Sequence, residues 1–299
     1  MLWIPIAISS YFLSGLAATV DKVLLTRRIP NPLSYTFYVG LLSIGVFVLA
    51  PFGFSFLSPR TTFIAMISGI SFLGALYFLY TALQRSEASR ALPIIGAASP
   101  FFILLLSRFI LGESVRLEQL IAFVLFIIGG ILLSSKFQDK GMSYDRALIL
   151  FSLTSAFFFA LSFFLSKEVF KVTPFISGFI WTRLGSFVAA LAMLGVPVFR
   201  HHIRFSSKAT STSSAGFFLA NKGIGAVGFL LLNYAIALGP VSLVNAMKGF
   251  EYLFVFLFAL FLTFSFPSIL KESFAIRDLV TKLGGVAFIA IAFIFLVQT

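Results

Sequence analysis

Cysteine is absent from the 299 residues, which excludes disulfides, thiol catalysis and cysteine-ligated metals and leaves the compartment open. Charge is scarce: 11% of residues are Asp, Glu, Lys or Arg, where a soluble domain carries about 25%. Acids are the scarcest, 10 against 22 Lys and Arg. The two histidines, His201 and His202, are adjacent in a basic stretch, which reads as solvated and holds no metal. No Gly-x-x-x-x-Gly-Lys-Ser/Thr sequence occurs, so ATP-driven transport would need another subunit. No stretch is long and polar enough for a soluble domain.

What is abundant is apolar. Hydrophobic residues make up 60% of the chain, with 41 Phe, and the mean hydropathy is +1.06. Apolar runs of membrane-crossing length recur from end to end, so the chain reads as a polytopic helical membrane protein. Its excess of positive charge would suggest nucleic acid in a soluble chain. Here it sits in short connections, where it sets orientation, so the partner is the lipid bilayer and no nucleic acid is expected. Met1–Val20 lacks a basic n-region and is expected to be the first span rather than a cleavable signal.

Ten spans are expected: Trp3–Leu25, Pro32–Leu49, Thr61–Leu83, Ser89–Leu111, Leu117–Ser135, Arg146–Phe170, Pro174–Phe199, Ser214–Leu238, Val241–Phe264 and Ile276–Val297. Arg200–Ser213 reads as the one longer polar loop. The halves, 1–138 and 139–299, repeat. Phe12-Leu13-Ser14-Gly15-Leu16 through Asp21-Lys22 and Pro32 parallels Phe157-Phe158-Phe159-Ala160-Leu161 through Ser166-Lys167 and Pro174. Tyr80–Ala91 parallels Tyr234–Ala246 with one residue of slippage, and Leu111-Gly112-Glu113-Ser114 parallels Leu270-Lys271-Glu272-Ser273. Five helices per half is odd, so the second copy enters the membrane from the opposite side. Inverted repeats of this kind build many secondary transporters, with the binding site between the repeats.

Five plus five helices, Lys22 and Lys167 closing the first helix of each half, and Ala91-Leu92-Pro93 with Ser99-Pro100 before Leu111-Gly112-Glu113 resemble the drug/metabolite transporter superfamily, EamA type. The likeness spans the chain and is densest from Tyr80 to Gln119; Leu270-Lys271-Glu272 departs from it by lacking the glycine. It implies transport of small metabolites through a cavity lined by the third, fourth, eighth and ninth spans. It also implies cytoplasmic termini. Charge bias argues the reverse, because thirteen basic residues (Lys22, Arg27, Arg28, Arg85, Arg90, Lys136, Lys140, Arg146, Arg200, Arg204, Lys208, Lys271 and Arg277) share a side that faces only five, Arg60, Arg108, Arg116, Lys167 and Lys171. We take the arrangement the resemblance implies.

The candidate site centres on Lys248 and Glu251. Eight residues after Pro240, Lys248 lies about 12 Å into its span, close to the bilayer midplane. Ionisable groups there are costly and face a cavity or a partner. The two share a helix face at i, i+3, so they either neutralise each other inside a packed contact or present a polar site to a substrate or a coupling proton. Asn245 lies one turn earlier, and Asn233 falls at similar depth. Lys222, beside Asn221, is a second deep lysine that either snorkels or joins the site. Two lysines against one glutamate would suit a substrate bearing a carboxylate or phosphate, bound beside Tyr77, Tyr80 and Tyr252; Tyr234 lies on the same helices. Arg183 is read as tied to a carbonyl of a neighbouring helix, and Lys282 as snorkelling. Pro93 and Pro100, with Gly96 between them, are expected to interrupt the fourth span and expose carbonyls. Glu113, Arg116 and Glu118, and likewise Glu87, read as interfacial structural charges.

The leading function is a secondary transporter of a small polar metabolite, without a cofactor, acting as a monomer or homodimer in the plasma or inner membrane. The alternative is a membrane-embedded enzyme acting on a lipid-linked substrate. Such an enzyme needs an intramembrane Asp pair, a Ser-His arrangement or a metal triad. The aspartates near spans, Asp21, Asp145 and Asp278, lie at helix ends and form no pair within a span.

Overall fold

The computed structural model describes residues 2–27, 31–85, 88–111, 117–134, 146–209, 212–265 and 276–297, and it is helical throughout with no strand among them. Twelve α-helices follow in order: α1 Trp3–Arg27, α2 Pro32–Leu42, α3 Pro59–Arg85, α4 Ala88–Leu111, α5 Leu117–Ser134, α6 Arg146–Val172, α7 Phe175–Met193, α8 Pro197–Ala209, α9 Thr212–Leu238, α10 Val241–Ala246, α11 Gly249–Ser265 and α12 Ile276–Val297. Asn31 caps α2, its side-chain oxygen accepting from the Leu33 and Ser34 amides, with Pro32 at the first helical position. A tighter 3₁₀ stretch, Ser43–Phe52, carries this span onward.

Polarity is turned inside out relative to a soluble protein. Phe56, Phe63, Phe109, Phe261 and Phe264 are exposed, while Ser10, Ser68, Ser155, Ser162, Ser166 and Ser186 are buried. Lipid accepts the first set, and the second hydrogen-bonds across helices. Ser68 Oγ bonds Ser166 Oγ at 2.8 Å and the Ser162 carbonyl at 2.9 Å, joining α3 to α6. Ser155 Oγ donates to the Ala75 carbonyl at 2.9 Å and Ser186 Oγ to that of Gly69 at 2.8 Å. Seven helical stretches among the described residues are long and apolar enough to cross a membrane, and three shorter apolar ones lie within α4, α5 and α12.

Four expectations need correction. α4 runs unbroken through Pro93 and Pro100. Each proline costs one amide and strains the preceding turn, and the rest of this 24-residue helix holds it together. The break falls instead in the span expected over Val241–Phe264: α10 ends at Ala246 and α11 starts at Gly249. The seventh span stops at Met193 rather than reaching Phe199, because a turn through Gly195 precedes Pro197, which starts a new helix. The stretch read as a polar loop is, through Ala209, that helix, α8. Ile203 is buried against Phe37, Leu73 and Ala190, and the Ser34 hydroxyl donates to the His202 carbonyl at 3.2 Å. Apolar residues on one stripe suffice to anchor a helix whose average polarity is loop-like.

Candidate functional site

One local and one long-range hydrogen bond accompany the break at Met247–Lys248. Asn245 turns its side-chain amide back to the Val241 carbonyl at 2.9 Å, a bond that competes with helix propagation. The Lys248 amide then bonds the Asn245 carbonyl at 3.1 Å rather than that of Val244. The Val244 carbonyl so released accepts the Tyr11 hydroxyl at 2.7 Å. Phe250 and Glu251 also use three-residue bonds, to Met247 and Lys248, before α11 settles into regular geometry. Glu251 thus occupies the first turn of α11, where the amide ends of a helix favour a negative charge. Lys248 Nζ stands 3.9 Å from Glu251 Oε2 and 5.2 Å from the centre of the Phe159 ring on α6. α1 closes the other side, approaching so tightly that a Cβ on Gly15 would lie 3.1 Å from the Glu251 carbonyl oxygen.

Lys222 is not part of that group. Its ammonium bonds both carboxylate oxygens of Asp21, at 2.7 and 2.8 Å, and lies 3.4 Å from the Tyr80 hydroxyl. The same carboxylate accepts from Tyr35 at 2.6 Å and from Asn221 at 2.5 Å. The Tyr35 and Tyr80 rings pack edge to face at 4.7 Å beneath the ammonium. α1, α2, α3 and α9 meet in this network, six residues and about 9 Å along α1 from Gly15. Asp21 cancels the charge of Lys222, which removes the two-to-one positive excess read from the sequence.

The remaining expected residues divide. Tyr80 belongs to the Asp21–Lys222 network. Tyr77 is half-buried beside Phe78 and has no polar contact with either pair among the described residues. Asn233 is buried, its amide donating to the Phe229 carbonyl at 2.9 Å while its oxygen has no partner among the described residues. Tyr234 is 40% exposed against Phe175, which takes it off the interior. Arg183 bonds no carbonyl among the described residues; its guanidinium lies 4.1 Å from the Phe72 ring and 4.3 Å from the Phe229 ring. Lys167 does bond carbonyls, those of Ile236, Ala237 and Gly239 at 2.8–3.2 Å, and closes the C-terminus of α9. The side chains of Tyr252, Lys22, Pro93, Pro100 and Lys282, and the whole of Glu87, Glu113, Arg116, Lys271 and Glu272, lie outside the described residues.

Asp21, Tyr11 and Tyr35 were not among the sequence candidates. An aspartate inside the apolar stretch Leu16–Leu25 was the available signal for the first, since it demands a deep cation and Lys222 is one. Nothing in the sequence marks the two tyrosines apart from the other six.

No curated protein matches the chain. A solved crystal structure shares its fold, with a TM-score of 0.66 at 16% identity, covering 96% of this chain and 95% of the other. Residues 1–135, somewhat under half of the chain, match the EamA-like transporter family, a match that bears out the resemblance to the drug/metabolite transporter superfamily over that part, and the long apolar helices mark the chain as a multi-pass membrane protein.

Proposed function

We propose that the chain is a secondary transporter of a small polar metabolite, with ten spans arranged as two inverted repeats, 1–138 and 139–299. It works by alternating access in the plasma or inner membrane, with cytoplasmic termini. The observation that carries this reading is the interrupted helix at Lys248. Broken helices at membrane depth are tolerated where backbone lines a cavity or is held by protein, and transporters place substrate and coupling ions at such breaks. Lys248, Glu251 and Asn245 form the polar centre, and the Glu251 carboxylate is the group placed to exchange a coupling proton.

The packing supports the repeat. α3 lies along α6 as α1 lies along α9, and α5 pairs with α12. Aligning Asp21 with Ser166 and Tyr80 with Tyr234 also aligns Lys222 with Ser68. The Asp21–Lys222 ion pair then occupies the position of the Ser166–Ser68 hydroxyl pair in the other half.

The test is the double variant Lys248→Met with Glu251→Gln. Removing both charges together avoids stranding one of them, so the protein should fold and lose uptake. A folded double variant that transports at the wild-type rate would sink the site assignment.

A further inference from the structure

We infer that Arg183 anchors an oxyanion, the carboxylate or phosphate end of the transported molecule; the inference rests on the transporter reading above. α7 is pressed onto α3 at two glycines: a Cβ on Gly69 would lie 2.0 Å from the Thr182 carbonyl oxygen, and one on Gly185 2.3 Å from that of Met66. That contact delivers Arg183 to the seam between α3 and α9. Phe72 and Phe229 stand 4.4 Å apart at 57°, a notch into which the guanidinium fits, with Phe179 at 5.9 Å. Arg183 is 7% exposed, its Nε is buried without a partner, and none of its N–H groups makes a hydrogen bond among the described residues.

Among the described residues Lys222 is matched by Asp21 and Lys248 by Glu251, and Lys167 is held by carbonyls. Among the same residues Arg183 has aromatic faces alone. Contacts with aromatic faces recover less than the cost of taking the ion out of water, so the site is one anion short. Its planar set of donors matches carboxylate or phosphate in a two-point contact. Eight residues past Phe175, Arg183 is about 12 Å deep, inside the hydrocarbon half-thickness of about 15 Å. A lipid headgroup does not reach there, so the anion is one that enters the protein's interior. The surroundings describe the rest of the molecule. Phe159 is 5.8 Å from Phe72 and 5.2 Å from Lys248 Nζ, which makes a continuous aromatic wall from Arg183 to the helix break. One turn along α9 from Phe229, the unpartnered oxygen of Asn233 offers an acceptor, suited to a hydroxyl or amino group on the same molecule.

The experiment uses full-length protein in lipid nanodiscs and three pairs of probes: glutamate with glutamine, succinate with succinamide, and glycerol 3-phosphate with glycerol. Thermal shifts across a concentration series give apparent affinities. In the wild type an anion should stabilise the protein and its neutral partner should not. Arg183→Gln should weaken that anion at least tenfold while the probe-free protein melts no lower, since an unmatched charge has been removed. Arg183→Lys, which keeps the charge and loses the fork, should fall between them. The carboxylate and phosphate arms separate the two sources of oxyanion. Wild-type affinity for the anion in Arg183→Gln overturns the inference. So does a lower probe-free melting point in Arg183→Gln combined with wild-type affinity in Arg183→Lys, which makes the residue structural. If neutral probes bind and cross proteoliposomes while anions do not, the Arg183 assignment fails and the transporter reading stands. If no probe binds or crosses, both fail.

Discussion

At the scale of single residues, the interior divides by how each buried charge is matched. Asp21 and Lys222 hold each other at hydrogen-bond distance with Tyr35 and Asn221 donating to the carboxylate. Lys248 and Glu251 stand 3.9 Å apart, loose enough for a ligand to compete. Lys222→Met strands the aspartate and should cost about 3–5 kcal/mol. Adding Asp21→Asn should restore most of that loss, read as unfolding temperature in detergent. A double variant no more stable than Lys222→Met would show that the pair does not act as a unit. Tyr35→Phe removes one charge-assisted bond and should cost less, about 1.5–3 kcal/mol.

Among elements, the α3–α7 contact is the least forgiving. Both glycines face backbone, which cannot swing away, so Gly69→Ala or Gly185→Ala should destabilise the fold by at least the roughly 1–3 kcal/mol of an overpacked core. At Gly74, on α3 with Gly69, an added Cβ would meet only the Phe158 ring at an ordinary contact distance of 3.7 Å. Gly74→Ala is therefore the internal control and should be neutral or slightly stabilising. Equal melting points for all three variants would contradict the crossing described here. The C-terminus of α9 depends on Lys167 in a similar way. Lys167→Met leaves three carbonyls without their shared donor and should raise hydrogen exchange selectively in the last turn of α9.

For the whole molecule, alternating access requires the halves to shift at α1–α9 and α3–α6. A chain without cysteine allows each junction to be locked separately. Ala17→Cys with Gly225→Cys sets two Cβ atoms 3.7 Å apart, within disulfide range, and Ser68→Cys with Ser166→Cys replaces hydroxyls already in contact. Oxidation should stop transport in either variant and reduction should restore it. Transport that persists through both locks would favour a channel-like path. Orientation is read with Ser207→Cys: labelling by an impermeant reagent on intact cells places that end outside and the termini inside, and protection reverses the assignment.

The membrane class, seven of the expected spans and the pairing of Lys248 with Glu251 were legible in the sequence, because each depends on neighbours a few residues away. Apolar run length reports a span directly, and residues three apart share a face wherever a helix forms. Three features were not. The partner of Lys222 is Asp21, 201 residues away, and no local pattern encodes such a pairing. The helix break came at Lys248 rather than at Pro93 or Pro100, because Tyr11 from α1 supplies the hydrogen bond that the Val244 carbonyl loses. Arg183 looked like one more buried cation in need of a carbonyl. Only the packing of α3, α7 and α9 put two phenylalanine rings in the carbonyl's place and left its donors open.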